Sequence, residues 1–278
     1  MIGLSIMSLT GLLSEIRKQH RYYMSSFRTG SLTVHVHANV AEMASAAAEA
    51  SAKIIANAIQ SRGSARIILA TAVSQVEFFH CLVENPQIDW SRVTVFHLDE
   101  FLGITENSPS SFGHFLTKQL LSKVTVGTAY KIDGSSLLPL KECARYEALL
   151  KEKPIDLCCV GVGENGHIAF NDPDVADFEE KSWVKLVKLD ERCREQQVKD
   201  EVFPTLKDVP LYAYTLTIPA LCHSLNIVGV VPGRHKAEAV AKMLQGEIST
   251  SCPASVLRRH PKALLYLDAN AAERLLIA

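Results

Sequence analysis

Residues 161–173 read GVGENGHIAFNDP, directly after the apolar run IDLCCV at 155–160. Glycines let a backbone turn tightly and come close to a ligand. Imidazole titrates nearest neutrality and is the natural general acid–base of such a stretch. Gly163 and Gly166 are therefore read as ligand-approach positions and His167 as a proton-handling group, against the alternative of a satisfied structural histidine. Three further polar clusters also come directly after apolar runs: TAVSQ (71–75) after ARIILA, Asp99-Glu100 after RVTVFHL, and PGRHK (232–236) after NIVGVV. A carboxylate at a strand terminus beside a cleft suits proton abstraction from carbon. The alternative for Asp99-Glu100 is a helix N-cap and a surface acid. Lys236 stands at a strand-to-helix turn, where it can hold a phosphate as a point charge or start a helix as a solvated cation.

Other chemistries are set aside. Gly161, Gly163 and Gly166 spell G-x-G-x-x-G, and Asp190 comes roughly 20 residues later, the spacing of a dinucleotide fingerprint. The third glycine, however, leads into HIAFNDPDVADFEE, whose proline and acids oppose the apolar helix that the fingerprint requires. There is no G-x-S-x-G, no H-E-x-x-H and no Walker motif. His35 and His37 share one strand face with no third ligand nearby, so they read as structural or surface groups rather than a metal site. With 29 basic and 30 acidic residues the net charge is -1, which gives no electrostatic footprint for nucleic acid. An anionic ligand must be held by local groups.

The elements that position these clusters alternate. LTVHVHA (32–38) is a strand and NVAEMASAAAEASAKIIANAIQ (39–60) a helix, capped by Asn39 with Glu42 at the capping-box position and Gly63 after its end. Then come strand and helix by turns: ARIILA and a helix from about Val76, RVTVFHL, a helix over 109–124, another over 140–152, IDLCCV, and WVKLVKL (183–189) with a polar helix after Asp190. LYAYTLTI (211–218), NIVGVV with the helix AEAVAKMLQG, and ALLYLD (263–268) with a short C-terminal helix complete the series. Residues 1–30 read as a leading helix and connector, without the basic and small-residue marks of a signal peptide. The pattern predicts one α/β domain over 1–278, with a doubly wound, mostly parallel sheet in three layers. Its ligand site is expected outside the carboxyl ends of the strands. Seven cysteines, an odd number without C-x-x-C, fit reduced thiols of a cytoplasmic protein, and no apolar run is long enough to span a membrane.

FHLDEF (96–101), SFGHF (111–115), GVGENGHIAFNDP, AYTLTIPAL (213–221), VPGRHKA (231–237) and HPKALLYLD (260–268) together resemble the glucosamine-6-phosphate deaminase/isomerase family, in order from about residue 35 to the C-terminus. The resemblance implies a Rossmann-like fold shared with ribose-5-phosphate isomerase and 6-phosphogluconolactonase. It implies conversion of glucosamine 6-phosphate and water to fructose 6-phosphate and ammonia, with no cofactor and no metal. Carried onto this chain, His167 handles the ring-oxygen proton with Asp172 orienting it, Asn165 belongs to the same catalytic group, and Asp99 moves a proton from C2 to C1. Thr71, Ser74, Glu100, Gly163, Gly166 and Lys236 fall among the substrate-binding positions. The alternatives are a related sugar-phosphate enzyme, such as a lactone hydrolase, and a non-catalytic sugar-phosphate-binding regulatory protein. Family members vary in sugar, effectors and assembly, so a homo-oligomer stays open. The phosphate loop departs from the family's Thr-Gly-[Gly/Ser]-Thr-Pro: here it is Thr71-Ala72-Val73-Ser74-Gln75. A non-glycine at 72 resists φ > 0, so weakened phosphate recognition is expected. Asn165 stands where many members have Asp, Asp172 where Glu is usual, and Gln197 falls closest to the place of a phosphate-binding arginine, with Arg192 and Arg194 nearby.

Overall fold

The computed structural model describes residues 24–275. Strand β1 (Met24–Thr29) pairs antiparallel with β2 (Leu32–His37), and helix α1 (Val40–Arg62) leads to β3 (Ala65–Leu69). Helix α2 (Val76–Val83), β4 (Val93–His97), the short β5 (Asp99–Phe101) and α3 (Phe112–Leu116) come next. Then come β6 (Thr128–Ala129), α4 (Pro139–Lys151), β7 (Leu157–Val160), β8 (Val184–Lys188) and α5 (Glu191–Lys199). The last are β9 (Tyr212–Leu216), α6 (Ile218–Cys222), β10 (Ile227–Val231), α7 (Ala237–Gln245) and β11 (Ala263–Asp268).

Eight strands form one sheet in the order β1-β2-β11-β10-β7-β3-β4-β6, parallel except for β1. Its central strands are apolar on both faces because both faces are covered. Ile67 and Leu69 of β3, with Leu157 and Cys159 of β7, pack under α1 and α2 beside Met43, Ile55, Phe78 and Phe79. Ile68, Cys158 and Val160 point the other way, towards Tyr146 of α4, Leu221 of α6 and Val240 and Met243 of α7. From β3 the chain moves outward to β4, and from β7 it moves the opposite way to β10. Neighbouring strands whose connections diverge leave a crevice at their carboxyl ends.

Several expectations are corrected. Residues 24–29 are a strand rather than part of a leading helix and connector, and the remainder of that element, 1–23, lies outside the described residues. WVKLVKL and LYAYTLTI do not join the parallel sheet; β5, β9 and β8 form a separate antiparallel sheet. That sheet packs through Phe101, Val187 and Ala213 on a small cluster with Phe112, Phe170 and Phe203. The 109–124 helix begins only at Phe112 and passes into a π turn over Thr117–Leu121. Turns, not a helix, come after β11 up to residue 275. The Asn39 cap holds, with its side chain accepting from the Glu42 N–H at 2.9 Å. His35 and His37 stack on Tyr266 of the neighbouring β11. Among the described residues no helix is long and apolar enough to cross a membrane.

His97, at the end of β4, is fully buried and accepts the Ile132 N–H through Nε2 at 2.9 Å, while the Tyr146 hydroxyl bridges its backbone N–H and C=O. Burial pushes its pKa down from 6.5 to about 3. The unfolded chain therefore binds one more proton than the fold between those values. Stability from the neutral ring is complete above 6.5 and is lost as pH falls towards 3, by up to about 1.4 kcal/mol per pH unit. The His97→Gln side chain can accept the same N–H without titrating. Denaturation at about pH 7.5 and about pH 5 is expected to show a smaller acid loss in that variant; equal losses would refute the assignment.

Candidate active site

The loops after β3, β4, β7 and β10 converge. A cavity of about 440 Å³ is lined by Thr71–Ser74 after β3, Asp99 after β4, Gly161–Gly163 and His167 after β7, and Gly233, His235 and Lys236 after β10. Its remaining wall comes from Ser110–Phe112, Ala169-Phe170 and the end of α5, with Gln196, Gln197, Asp200 and Glu201. Ala169 and Glu201 are the two described non-glycine residues with positive φ, 50° and 57°, and both line this cavity. Such backbone costs free energy and persists where surrounding structure enforces it, as it does at functional sites.

His167 is placed by a turn and a carboxylate. The Gly166 N–H closes a turn on Gly163 O at 3.0 Å, and Asn165 Oδ1 accepts the His167 N–H at 3.0 Å. A β-carbon on Gly163 would run into the imidazole ring, so only glycine lets the ring lie there. His167 Nδ1 is 2.9 Å from Asp172 Oδ1, at ion-pair distance but with its N–H not aligned on that oxygen. Asn165 Nδ2 donates to the same oxygen at 2.9 Å. Burial pushes the Asp172 carboxyl up, but the contacts with His167, Asn165 and Cys193 outweigh it and hold the group below its ordinary value. The shorter Asp in place of Glu thus still reaches the imidazole.

His167, Asp172 and Cys193 form the one described group with metal-ligand character, their ligand atoms lying within 4.8 Å of one another. Burial and the Asp172 charge push the Cys193 thiol well above its usual value.

Asp99 is buried at the cavity wall, and burial, then the neighbouring Glu100 charge, pushes its carboxyl well up. Lys236 is 4% exposed, lines the cavity and has no carboxylate at ion-pair distance among the described residues. Burial pushes its pKa down, against the pull of Asp200 and Glu164. The N–H groups of Val73 and Ser74 open a helical run continuous with α2 and have no acceptor among the described residues, and Thr71 Oγ1 is buried without a partner. Free N–H groups at a helix start, an unmatched ammonium and an unpaired hydroxyl form a local anion cradle without any excess of net charge.

The structure relocates four of the expected site residues. Glu100 does not line the cavity: its carboxylate accepts from Phe101 N, Phe112 N, Gly113 N and Ser111 Oγ at 2.7–3.2 Å, pinning the start of α3 to β5. Asn165 and Asp172 also lie outside its lining and act on it through His167. Gly166 shapes the turn from behind, packed on Cys252. At Ala72 the concern about left-handed backbone does not apply, because φ there is -130°, open to any residue. Gln197 does line the cavity, whereas Arg194 donates to Leu206 O and Val209 O, and Arg192 faces a second cavity. Two residues not singled out from the sequence also line the cavity, Asp200 and Glu201. No local motif marks them, and only tertiary packing brings the α5 terminus over the strand ends.

A family model described as glucosamine-6-phosphate isomerases/6-phosphogluconolactonase matches residues 38–266. A glucosamine-6-phosphate deaminase of Bacillus cytotoxicus is 36% identical over 224 residues, covering 81% of this chain and 83% of that protein. One from Bacillus cereus is 34% identical over the same span. Among solved structures, a monomeric glucosamine-6-phosphate deaminase superposes with TM-score 0.79 at 28% identity, covering 86% of this chain and 98% of its own. A 6-phosphogluconolactonase of Thermotoga maritima reaches TM-score 0.70 at 18% identity, covering 85% and 99%, and so shares the fold.

The Glu100 clamp makes a stability prediction. Glu100→Ala leaves three backbone N–H groups and one hydroxyl without their acceptor, a loss on the order of 2–4 kcal/mol. Glu100→Gln keeps one acceptor oxygen and is expected to lose less. Chemical denaturation of the two variants checks both the size and the order.

Proposed function

The chain belongs to the glucosamine-6-phosphate isomerase/6-phosphogluconolactonase family, and we propose that it converts glucosamine 6-phosphate and water to fructose 6-phosphate and ammonia. The observation that carries this reading is that Asp99, His167 and the unmatched Lys236 face one 440 Å³ cavity, of the size that takes a small ligand. The deaminases at 34–36% identity support it. In this reading His167 moves the ring-oxygen proton as the pyranose opens, with Asp172 beside its Nδ1 and Asn165 holding Asp172 and the His167 backbone N–H. Asp99 takes the proton from C2 and returns it to C1, a transfer between adjacent carbons that one carboxylate can serve. The resulting imine carbon at C2 takes up water and loses ammonia. Lys236, the Val73 and Ser74 N–H groups and the Thr71 hydroxyl hold the phosphate. The reading takes residues 1–278 as a single catalytic domain, acting in the cytoplasm. Incubation with glucosamine 6-phosphate and an ammonia assay tests it. Ammonia release supports it, whereas binding without release would leave only a sugar-phosphate-binding role.

Asp99→Asn keeps the shape of the group but cannot accept the C2 proton, so turnover is expected to vanish while substrate still binds. Solvent deuterium should enter C1 of the product of the wild-type enzyme; unimpaired turnover in the variant removes Asp99 from the mechanism. The base acts deprotonated and its pKa is raised, so kcat/KM is expected to fall with acid at a midpoint above the ordinary 3.8.

Lys236→Ala is expected to raise KM much more than it lowers kcat, because a cation on a remote phosphate binds ground and transition states alike. A variant that loses kcat at unchanged KM refutes that placement.

A further inference from the structure

We propose that Gln75 is a positioning residue that commits the Ser74 hydroxyl to donate towards the anionic end of the substrate, replacing by hydrogen bonds the rigidity that glycine and proline would give this loop. Gln75 is 1% exposed. Its Nε2 donates to Val230 O at 3.0 Å and to Ser74 Oγ at 3.1 Å. A carbonyl can only accept, so it is the nitrogen of the amide that faces Val230, and both amide hydrogens are then used. Ser74 Oγ is an acceptor in its contact with Gln75, which leaves its own O–H to be donated elsewhere. Among the described residues that O–H has no acceptor, and Ser74 lines the cavity. The proton is thus available to an acceptor on the ligand.

The amide also joins two loops and a strand. It lies in the loop after β3, bonds to β10 one residue before its end, and packs on Gly161 after β7, where an added β-carbon would stand 3.3 Å from Nε2. The backbone at 75 is not that of proline. Its φ is -97°, beyond the range of about -65 ± 15° that the ring permits. The Gln75 N–H closes the turn on Ala72 O at 2.9 Å, a bond proline cannot make. Ala72 accordingly stays in extended backbone at φ -130°. The loop is fixed in a different way from a Gly/Pro loop, and its glutamine takes part in that.

The inference rests on the sugar-phosphate reading in that it takes the group at Ser74 to be phosphate. The probes are glucosamine 6-phosphate as substrate, and inorganic phosphate and free glucosamine as competitive inhibitors. Gln75→Leu is expected to raise KM for glucosamine 6-phosphate and the inhibition constant of inorganic phosphate by about tenfold, the worth of one hydrogen bond. kcat and inhibition by free glucosamine should change far less. Ser74→Ala should do the same, and the double variant should be no worse than either single one. Gln75→Glu offers Ser74 only an acceptor, turning the hydroxyl proton away from the cavity, so it should weaken phosphate binding at least as much as Gln75→Leu, and because it also loses the donor to Val230 O it should lower the melting temperature as well. Additive losses in the double variant, or phosphate affinity unchanged in Gln75→Leu, overturn the inference while leaving the phosphate reading intact. If phosphate fails to inhibit the wild-type protein, the phosphate reading fails, and the inference with it.

Discussion

Parallel pairing of β4, β3, β7 and β10 is the constraint on which the site depends. Parallel strands end on the same edge of the sheet, so the residue after each strand is delivered to one side of the molecule. Because β3 and β7 are neighbours whose chains leave in opposite directions, their loops part and leave room between them. Four segments far apart in sequence thereby meet around one cavity. Strands β3, β7 and β10 are buried along their whole length, so packing against helices on both faces holds that geometry.

Within that frame the electrostatics are sparse. Among the described residues the cavity carries one buried ammonium, Lys236, yet Asp200 and Glu201 share its wall and no arginine does. An anion in this cavity would meet directed donors at short range rather than a broad positive field. That is why the orientation of single hydroxyl and amide groups at Thr71, Ser74 and Gln75 matters more here than net charge. The same dry surroundings favour the neutral form of Asp99, giving it a proton affinity suited to accepting from carbon. The ionised state of Asp172, by contrast, is held by donors. Two carboxyls of the same residue type are driven apart by what surrounds them.

Much of this was legible in the sequence. The apolar runs for β2, β3, β4, β7, β10 and β11, and the Asn39 cap, arise from local periodicity and side-chain chemistry, which the fold retains. The cluster Asp99, His167 and Lys236 could be placed on one edge because the strand-to-helix alternation implies parallel strands. The second sheet was hidden because WVKLVKL and LYAYTLTI look the same whether they pair parallel or antiparallel; pairing is a long-range property. Glu100 was misread for a related reason. Its partners Ser111, Phe112 and Gly113 lie more than ten residues on, and nothing in Asp99-Glu100 says which carboxylate faces the cavity. Strand alternation in β5 decides it: successive side chains point to opposite faces, so when one acid enters the cavity the next must leave it.

The same alternation ties the positions of Asp99 and His167 to the fold's stability. Asp99 is next to Glu100 in a three-residue strand, so its position is fixed by the clamp that Glu100 makes on α3 and by the pairing of Asp99 with Thr215. Thr215 in turn accepts the Phe170 N–H through Oγ1 at 3.0 Å, and Asn171 donates to Leu216 O at 2.8 Å. The segment carrying His167 and the strand carrying Asp99 are therefore both anchored to β9. The small antiparallel sheet, absent from any reading of the chain as a simple parallel fold, is the element that holds Asp99 and His167 at a fixed separation. A mutation in β9 that never touches the cavity would thus act on both groups together, and its effect would show as a shared displacement rather than as the loss of either one.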